Sequence, residues 1–233
     1  MQIVISIAVL LLAYIIGSIP FGWLVVKMKT GKDIRVIESG RTGGTNAMRA
    51  AGFWAGLLTA IMDILKGAAS VWIAKAILPD AHLLHALAPV AAIIGHNYSI
   101  FMPERNAQGR IVRLRGGAGG APAVGGTFGL WGPSIFIVVP LGAVVFFTLG
   151  IASITTMSVA FFAIIIFVIR AWLGFAPWTD VLYGVLAEIL LLWALRPNLQ
   201  KLFSGKERIV KQSLNGWIRS KRETQQPNHG NAS

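Results

Sequence analysis

The sequence predicts an all-α polytopic membrane protein with seven transmembrane helices, its N-terminus outside the cell and its C-terminus inside. The first observation is composition: 55% of the 233 residues are hydrophobic and only 13% are charged, against about a quarter charged in soluble domains. The second is a series of apolar runs near the roughly 20 residues that a membrane-spanning helix needs. The third is the clustering of Lys and Arg between those runs, which is typical of cytoplasmic loops.

The predicted spans alternate with these polar segments. Segment 118–131 is short and Gly-rich, so it needs shelter from neighbouring helices, because irregular backbone is not tolerated against lipid. It could be a span or a re-entrant segment, but only a span keeps the basic C-terminal segment inside the cell. The spans are 3–26, 53–78, 84–101, 118–131, 134–150, 152–170 and 179–195.

The chain divides into one membrane domain, 1–210, and a basic cytoplasmic tail, 211–233, whose end is predicted to be disordered. Within the tail, Trp217 and Ile218 could rest on an anionic membrane surface, although a solvated tail is the simpler interpretation. The net charge of +12 suits anionic lipids or substrates. No nucleic-acid-binding motif accompanies it, so no nucleic-acid partner is expected. The absence of cysteine excludes disulfides, thiolate metal sites and a cysteine nucleophile.

The polar loop after the first span, ESGRTGGTNAMRAAG over 38–52, predicts an anion-binding site. Glycines permit positive φ and close backbone approach, and successive N–H groups in such turns bind anions. Arg side chains add charge and bidentate geometry for phosphate, and Thr45 and Arg49 share a helix face. The alternative is a flexible connector. The candidate phosphate-binding residues here are Ser39, Gly40, Arg41, Gly43, Gly44, Thr45, Asn46 and Arg49.

Other polar residues stand inside or beside the predicted spans. Asp63 and Lys66 are three residues apart and predict a structural ion pair facing the bundle. His96 ends the third span and could be a structural hydrogen bonder or a general base. A second Gly-rich basic stretch offers another anion-binding site, with candidate residues Arg113, Arg115, Gly116 and Gly117.

Taken in order, these motifs resemble those of the bacterial acyl-phosphate-dependent glycerol-3-phosphate acyltransferase family, over about residues 10 to 208. The matching motifs are Gly17 to Gly22 (GSIPFG), Ser39 to Arg49 (SGRTGGTNAMR), Asp63 to Gly67 (DILKG), Gly95 to Ser99 (GHNYS), Ala152 to Ile154 (ASI), Arg196 to Leu199 (RPNL) and Gly205 to Glu207 (GKE).

The resemblance implies a seven-span enzyme of the bacterial cell membrane with its active site on the cytoplasmic face. It implies glycerol 3-phosphate and acyl phosphate as substrates, lysophosphatidic acid as product, and neither cofactor nor metal. His96, Ser153 and Asn198 fall on catalytic positions of the family, and Ser39, Thr45 and Arg49 on substrate-binding positions.

Two positions depart from the family pattern. Ala118 stands where the family has a phosphate-contacting Lys, and Leu195 where it has a His. Arg113, Arg115 or Arg41 is expected to restore the missing charge, because Arg is long and always charged. Two alternatives remain open at this point: a transporter of a phosphorylated solute and a catalytically inactive phosphate- or lipid-binding relative. Transporters usually place polar groups at the bilayer midplane within repeats, whereas here they cluster at one surface.

Overall fold

Helices make up nearly all of the fold in this computed structural model, which describes residues 1–210 and 213–225. A two-stranded antiparallel hairpin, β1 (Pro103–Arg105) and β2 (Ile111–Leu114), interrupts them. The helices are α1 (Gln2–Ser18), α2 (Phe21–Thr30), α3 (Gly44–Ala51), α4 (Phe53–Ile77), α5 (His82–Asn97), α6 (Gly120–Leu130), α7 (Ile135–Leu149), α8 (Ala152–Trp172), α9 (Trp178–Phe203) and α10 (Leu214–Gln225).

The first apolar segment contains a break that the predicted span 3–26 did not include. Helix α1 ends at Ser18 and α2 begins at Phe21, because Pro20 lacks an N–H group and disfavours helical geometry in the residue before it. At the break, the carbonyl oxygen of Ile19 accepts from the Phe21 N–H at 3.1 Å and from Lys66 Nζ at 3.0 Å. The segment Gln2–Thr30 is still long and apolar enough to cross the membrane. The break within it provides the carbonyl that binds Lys66 of α4.

Five helical segments are long and apolar enough to cross a membrane. They are Gln2–Thr30, Phe53–Ile77, Gly132–Leu149, Ala152–Trp172 and Trp178–Phe203. The other two predicted spans correspond to α5, with 16 residues, and α6, with 11, and both are shorter than the roughly 20 residues of a usual span. The count of seven spans and their orientation therefore stay predictions.

The short helix α6 is enclosed by the helices around it. Pro122 to Thr127 are all buried, and glycines permit the contact with α4: a Cβ on Gly67 would lie 2.3 Å from the Pro122 carbonyl oxygen, and one on Gly125 would lie 1.9 Å from the Ile64 carbonyl oxygen. Only hydrogen fits at these crossings. The glycines of this segment are therefore required for close packing. This packing encloses α6 among neighbouring helices, as the sequence predicted that it must be.

The largest apolar core lies where α5, α6, α8 and α9 meet. Phe167, Tyr183 and Leu191 are fully buried there, and the Tyr183 hydroxyl donates to the Ala123 carbonyl at 2.6 Å. Many large apolar side chains instead face outwards, Phe136 and Trp172 each with 81% exposure. This outward apolar surface is what a lipid-facing helix bundle requires.

Two predicted irregular segments contain regular structure. Segment 101–117, predicted as a loop, forms the hairpin, whose strand ends are joined by a turn at Gly109 with φ of 76°. In the tail, 214–225 forms α10, whereas disorder of its end stays a prediction. The rest of the tail, 211–212 and 226–233, lies outside the described residues.

Candidate active site

A cavity of about 530 Å³ opens at one end of the bundle. It lies between α3 and the loop before it on one side, and the start of α8 and the end of α9 on the other, with α4, α5 and α6 at its base. Ten of the predicted site residues line it: Ser39, Arg41, Gly43, Gly44, Thr45, Asn46, Arg49, His96, Ser153 and Asn198. Both departures from the family pattern, Ala118 and Leu195, also lie on its wall.

One wall of the cavity is the N-terminal part of α3. Gly43 caps this helix, and Gly43, Gly44 and Thr45 all line the cavity. The free N–H groups and positive dipole end of a helix N-terminus favour an anion. Arg49, one turn after Thr45, lines the same cavity. The spacing-based prediction that these two side chains share a face therefore agrees with their positions.

The loop before α3 is held by Asn46. Its Nδ2 group donates to the carbonyl oxygens of Ile34, Ile37 and Arg41 at 3.3, 3.0 and 2.9 Å, and the residue is only 2% exposed. Asn46 was predicted to bind phosphate, but its amide N–H groups are already engaged by the protein backbone. Its observed contacts instead fix the loop that carries Arg41.

Four polar side chains form a connected chain on the opposite wall. Arg41 Nη2 donates to the Ala194 carbonyl oxygen at 2.8 Å and to Asn198 Oδ1 at 3.0 Å. Asn198 Nδ2 and Ser153 Oγ each donate to Glu207 Oε1 at 3.0 Å. These bonds join the loop before α3 to α8, α9 and the linker 204–210, and they orient the hydroxyl and the amide at the cavity.

The charge on Arg41 persists in this partly enclosed position. Burial lowers the pKa of its guanidinium, and nearby Arg113 lowers it further, whereas Glu207 raises it. A guanidinium nevertheless stays protonated in proteins. Arg41 therefore brings a permanent positive charge to the cavity wall.

A buried group of three titratable side chains lies at the base of the cavity. Lys66 Nζ is 2.8 Å from Asp63 Oδ1 and 2.8 Å from His96 Nδ1, and His96 Nδ1 is 3.6 Å from the same carboxylate oxygen. The predicted Asp63–Lys66 pair is thus formed, and it includes the histidine. Because an ammonium only donates, Nδ1 accepts and the ring proton of neutral His96 is on Nε2.

Five predicted phosphate-binding residues lie off the cavity wall: Gly40, Arg113, Arg115, Gly116 and Gly117. Arg113 is exposed on the hairpin. Arg115 makes two bonds to Glu104, Nε at 2.7 Å and Nη2 at 3.0 Å, and this ion pair lowers the pKa of the Glu104 carboxyl. Neither arginine occupies the place of the missing family lysine.

The glycines among these five residues serve packing. A Cβ on Gly117 would lie 1.9 Å from His96 Nε2, and one on Gly116 would lie 2.1 Å from the His96 carbonyl oxygen. Gly40 adopts a φ of 66°, and its Cβ would lie 2.8 Å from the Arg35 carbonyl oxygen. Nearness in sequence to basic residues made these glycines resemble an anion-binding loop, whereas their contacts are with backbone and with His96.

The last turn of α9 and the linker after it contribute residues that the sequence did not assign. Lys201, Lys206 and Arg208 line the cavity together with Glu207, and Arg208 pairs with Glu38 across its mouth. The sequence indicated Glu207 only as the end of the last motif, and the basic residues only as part of a cytoplasmic cluster. These residues reach the cavity only because the linker after α9 folds back towards it. A short sequence motif does not predict that path of the chain.

The balance of charge in the cavity favours anions. Arg41, Arg49, Lys201, Lys206 and Arg208 face it, against the carboxylates of three residues that are themselves engaged by Arg, Lys, Ser or Asn. Among residues 1–210 and 213–225, no group of three or more His, Cys, Asp or Glu has metal-ligand geometry.

The fold and this cavity define a multi-helix membrane protein with a cavity lined by cationic side chains at one end of its bundle. The sequence model for glycerol-3-phosphate acyltransferase matches residues 7–205, and the chain belongs to that family. A glycerol-3-phosphate acyltransferase of Thermus thermophilus is 36% identical over 85% of this chain and 92% of its own length. One from Rubrobacter xylanophilus is 33% identical over 87% and 94%.

The architecture agrees with a solved structure. The crystal structure of PlsY, an integral membrane glycerol 3-phosphate acyltransferase, in its glycerol 3-phosphate form superposes with a TM-score of 0.75. The match covers 88% of this chain and 95% of that one at 24% identity, so it establishes the shared fold alone.

Proposed function

We propose that this membrane acyltransferase transfers a fatty acyl group from an acyl phosphate to glycerol 3-phosphate, giving lysophosphatidic acid and inorganic phosphate. The observation that carries the proposal is the meeting of two polar walls in one cationic cavity of about 530 Å³. Both substrates carry a phosphate, and the cavity offers cations and donors on both sides. The activity named for the relatives supports glycerol 3-phosphate as the acceptor.

The α3 wall suits one phosphate. Thr45 and Arg49 project from the first turns of the helix, where backbone N–H groups and the helix dipole add to their attraction. Ser39 enters from the preceding loop. Arg49 adds two parallel donors to phosphate oxygens, which a lysine at this place would not match.

The α8–α9 wall suits the second phosphate and the reacting carbonyl. Ser153 and Asn198 are held by Glu207, and Arg41 completes the network. Donors fixed before the reaction stabilise charge that develops in the transition state without reorganising. Lys206, on the linker beside them, supplies cationic charge near the leaving phosphate.

The reaction requires little from the protein beyond this placement. The primary hydroxyl oxygen of glycerol 3-phosphate attacks the acyl carbonyl carbon, a C–O ester bond forms, and the C–O bond to the phosphate breaks. The phosphate leaves with the electron pair of that bond and takes up the hydroxyl proton. An acyl phosphate is already an activated anhydride, so holding the two substrates together removes much of the entropic cost.

His96 acts in this proposal as a positioning residue. Its Nδ1 already accepts from Lys66 at 2.8 Å, so that nitrogen is not available as a base. Its Nε2 edge packs against Gly117, so the ring is held in place where it lines the cavity. Proton acceptance therefore falls to a substrate phosphate.

The cavity is proposed to face the cytoplasm. Its rim carries Arg49, Lys201 and Arg208, and cytoplasmic segments of membrane proteins are enriched in Lys and Arg. The acyl chain can then lie along the apolar helices while the phosphates stay at the membrane surface. Glycerol 3-phosphate would enter from the cytoplasm, and the product would leave into the adjoining leaflet.

The test is a donor comparison with purified protein. Palmitoyl phosphate and palmitoyl-coenzyme A are each supplied with glycerol 3-phosphate, and lysophosphatidic acid is measured by mass spectrometry. We expect product with palmitoyl phosphate and little or none with the thioester, with Arg49→Ala as a folded low-activity control. Absence of product with both donors would refute the proposal and favour a transporter or an inactive binding protein. Equal rates with both donors would refute the acyl-phosphate assignment.

A further inference from the structure

A second cavity, of about 320 Å³, lies at the other end of the bundle. Helices α4, α6 and α8 begin at the first cavity and end here, while α5 and α9 begin here and end at the first cavity. The two cavities are therefore separated by the length of the bundle. Its titratable lining residues are Lys75, His82, His85, Arg170 and Asp180, and the reaction proposed above uses none of them.

The two cations of this cavity are fixed by the ends of neighbouring helices. Lys75 Nζ donates to the carbonyl oxygens of Gly129 and Leu130, at 2.9 and 3.0 Å. Arg170 Nη2 donates to the Phe175 carbonyl oxygen at 3.0 Å, and its guanidinium stacks 4.1 Å from the Trp131 ring. Both charges are thus held in place before any ligand arrives.

Each cation keeps donor capacity. An ammonium has three N–H donors and Lys75 uses two of them, which leaves one. The Nε of Arg170 is buried and has no hydrogen-bond partner within the described part of the chain. The Nη1 group of Arg170 is not buried in this way and makes no hydrogen bond in the same part of the chain, so it can donate to an acceptor such as a phosphate oxygen.

Asp180 needs a hydrogen-bond donor or a cation, whereas the two cations need an acceptor. The residue is only 7% exposed. Lys75, Arg170 and His82 act on its carboxylate through space, but among residues 1–210 and 213–225 it makes no ion pair within 4.0 Å. A buried carboxylate needs donors or a cation, and ionisable groups within spanning helices usually mark functional sites. The accessible side of Asp180 is the cavity that it lines.

We propose that this second cavity binds a phosphoethanolamine group, which carries a primary ammonium and a phosphate. The ammonium would donate to Asp180, and the phosphate would accept from Arg170 Nη1 and from the remaining N–H of Lys75. Charge-assisted bonds of this kind are the strong ones in proteins. A choline group fits less well, because a quaternary ammonium has no N–H to donate to the carboxylate.

A phospholipid is the source that the surroundings favour. Phe175 lines the cavity, and Trp178 follows within the same turn, with exposures of 69% and 62%. Exposed aromatic side chains are typical of the membrane–water interface. The cavity wall also includes Leu130, Ala176 and Pro177, so a head group could enter while its acyl chains remain against the outer surface of the helices.

The experiment uses the full chain in detergent, with the thermal unfolding temperature and native mass spectrometry as measurements. The probes are short-chain phosphatidylethanolamine, phosphatidylcholine and phosphatidylglycerol, together with soluble O-phosphoethanolamine. Asp180→Asn is the test variant. Asp80→Asn is its matched control, because Asp80 is exposed in the loop at the same end of the bundle and does not line the cavity.

We expect phosphatidylethanolamine to bind at least tenfold more tightly than the other two lipids, and Asp180→Asn but not Asp80→Asn to remove that preference. Binding by the lipid alone assigns the site to a membrane head group, and equal binding of O-phosphoethanolamine assigns it to a soluble compound of the same chemistry. Equal binding of all three lipids by the wild type would overturn the proposal, whether or not the variant folds. Unchanged selectivity in a folded Asp180→Asn protein would also overturn it.

Discussion

At the residue scale, the cations that line the active-site cavity are only in part those that the sequence predicted: Arg41 and Arg49 were expected, whereas Lys206 was not. Arg113 and Arg115 precede the position of the missing family lysine, but the hairpin carries one into solvent and Glu104 holds the other. Lys206 comes from the linker after α9 and lines the cavity together with Ala118. We therefore propose Lys206 as the replacement charge, with Arg41 on the wall of the same cavity.

Removing this charge gives the first prediction. Lys206→Ala is expected to lower kcat/KM for acyl phosphate about tenfold, because a hydrogen bond to a charged group contributes about 1.5–3 kcal/mol. Adding Ala118→Lys should recover part of the loss. Arg113→Ala and the exposed control Lys32→Ala should leave turnover near the wild-type value in the same assay. A loss in Arg113→Ala as large as that in Lys206→Ala would show that the hairpin arginine supplies the charge.

Contacts between residues three or four apart on one helix could be predicted from the sequence. Contacts that depend on how a loop or linker folds back could not. The four-residue spacing of Thr45 and Arg49 placed both on one face of α3, and the three-residue spacing of Asp63 and Lys66 placed them in contact. Asn46 was assigned to substrate because it is polar and lies in a Gly-rich loop. Its three bonds to carbonyl oxygens depend on the loop conformation, which the pattern did not determine.

At the element scale, α6 sets the distance between the two cavities. Its first residues line the active-site cavity and its last residue, Leu130, lines the second. The sequence showed that this segment is short and Gly-rich and that it needs shelter, but not which helix gives the shelter. The close contact between Gly125 and the Ile64 carbonyl of α4 forms only when both helices are in place.

A methyl group at this crossing gives the second prediction. A Cβ on Gly125 would lie 1.9 Å from the Ile64 carbonyl oxygen, so Gly125→Ala must push α6 from α4. Overpacking typically costs about 1–3 kcal/mol, and we expect a lower thermal unfolding temperature of the purified protein. Gly132→Ala is the matched control, since a Cβ there has no atom within 4 Å. Equal unfolding temperatures for both variants would contradict the packing of these two helices.

At the scale of the whole molecule, membrane orientation decides which cavity meets the cytoplasm. The mouth of the first cavity is rich in Lys and Arg, and the positive-inside tendency directs such segments inwards. The sequence supported the same orientation through its basic clusters. It could not establish seven spans, because α5 and α6, with 16 and 11 residues, are shorter than ordinary spans.

The chain has no cysteine, which makes the orientation directly measurable. Asp80→Cys, at the end of the second cavity, should react with a membrane-impermeant maleimide in intact cells. Lys32→Cys, in the loop before α3, should react only after the membrane is permeabilised. The unsubstituted chain gives the background. The reverse labelling pattern would place the active-site cavity outside the cell and contradict the proposed orientation.

The most direct test of the account concerns direct transfer between two substrates held in one cavity. Purified protein is mixed with radiolabelled acyl phosphate without glycerol 3-phosphate, and both released phosphate and protein-bound label are measured before and after glycerol 3-phosphate is added. Direct transfer predicts neither a phosphate burst nor labelled protein at first, and then phosphate and lysophosphatidic acid in equal amounts. A burst equal to the enzyme concentration, with label on Ser153, would contradict direct transfer and indicate an acyl-enzyme.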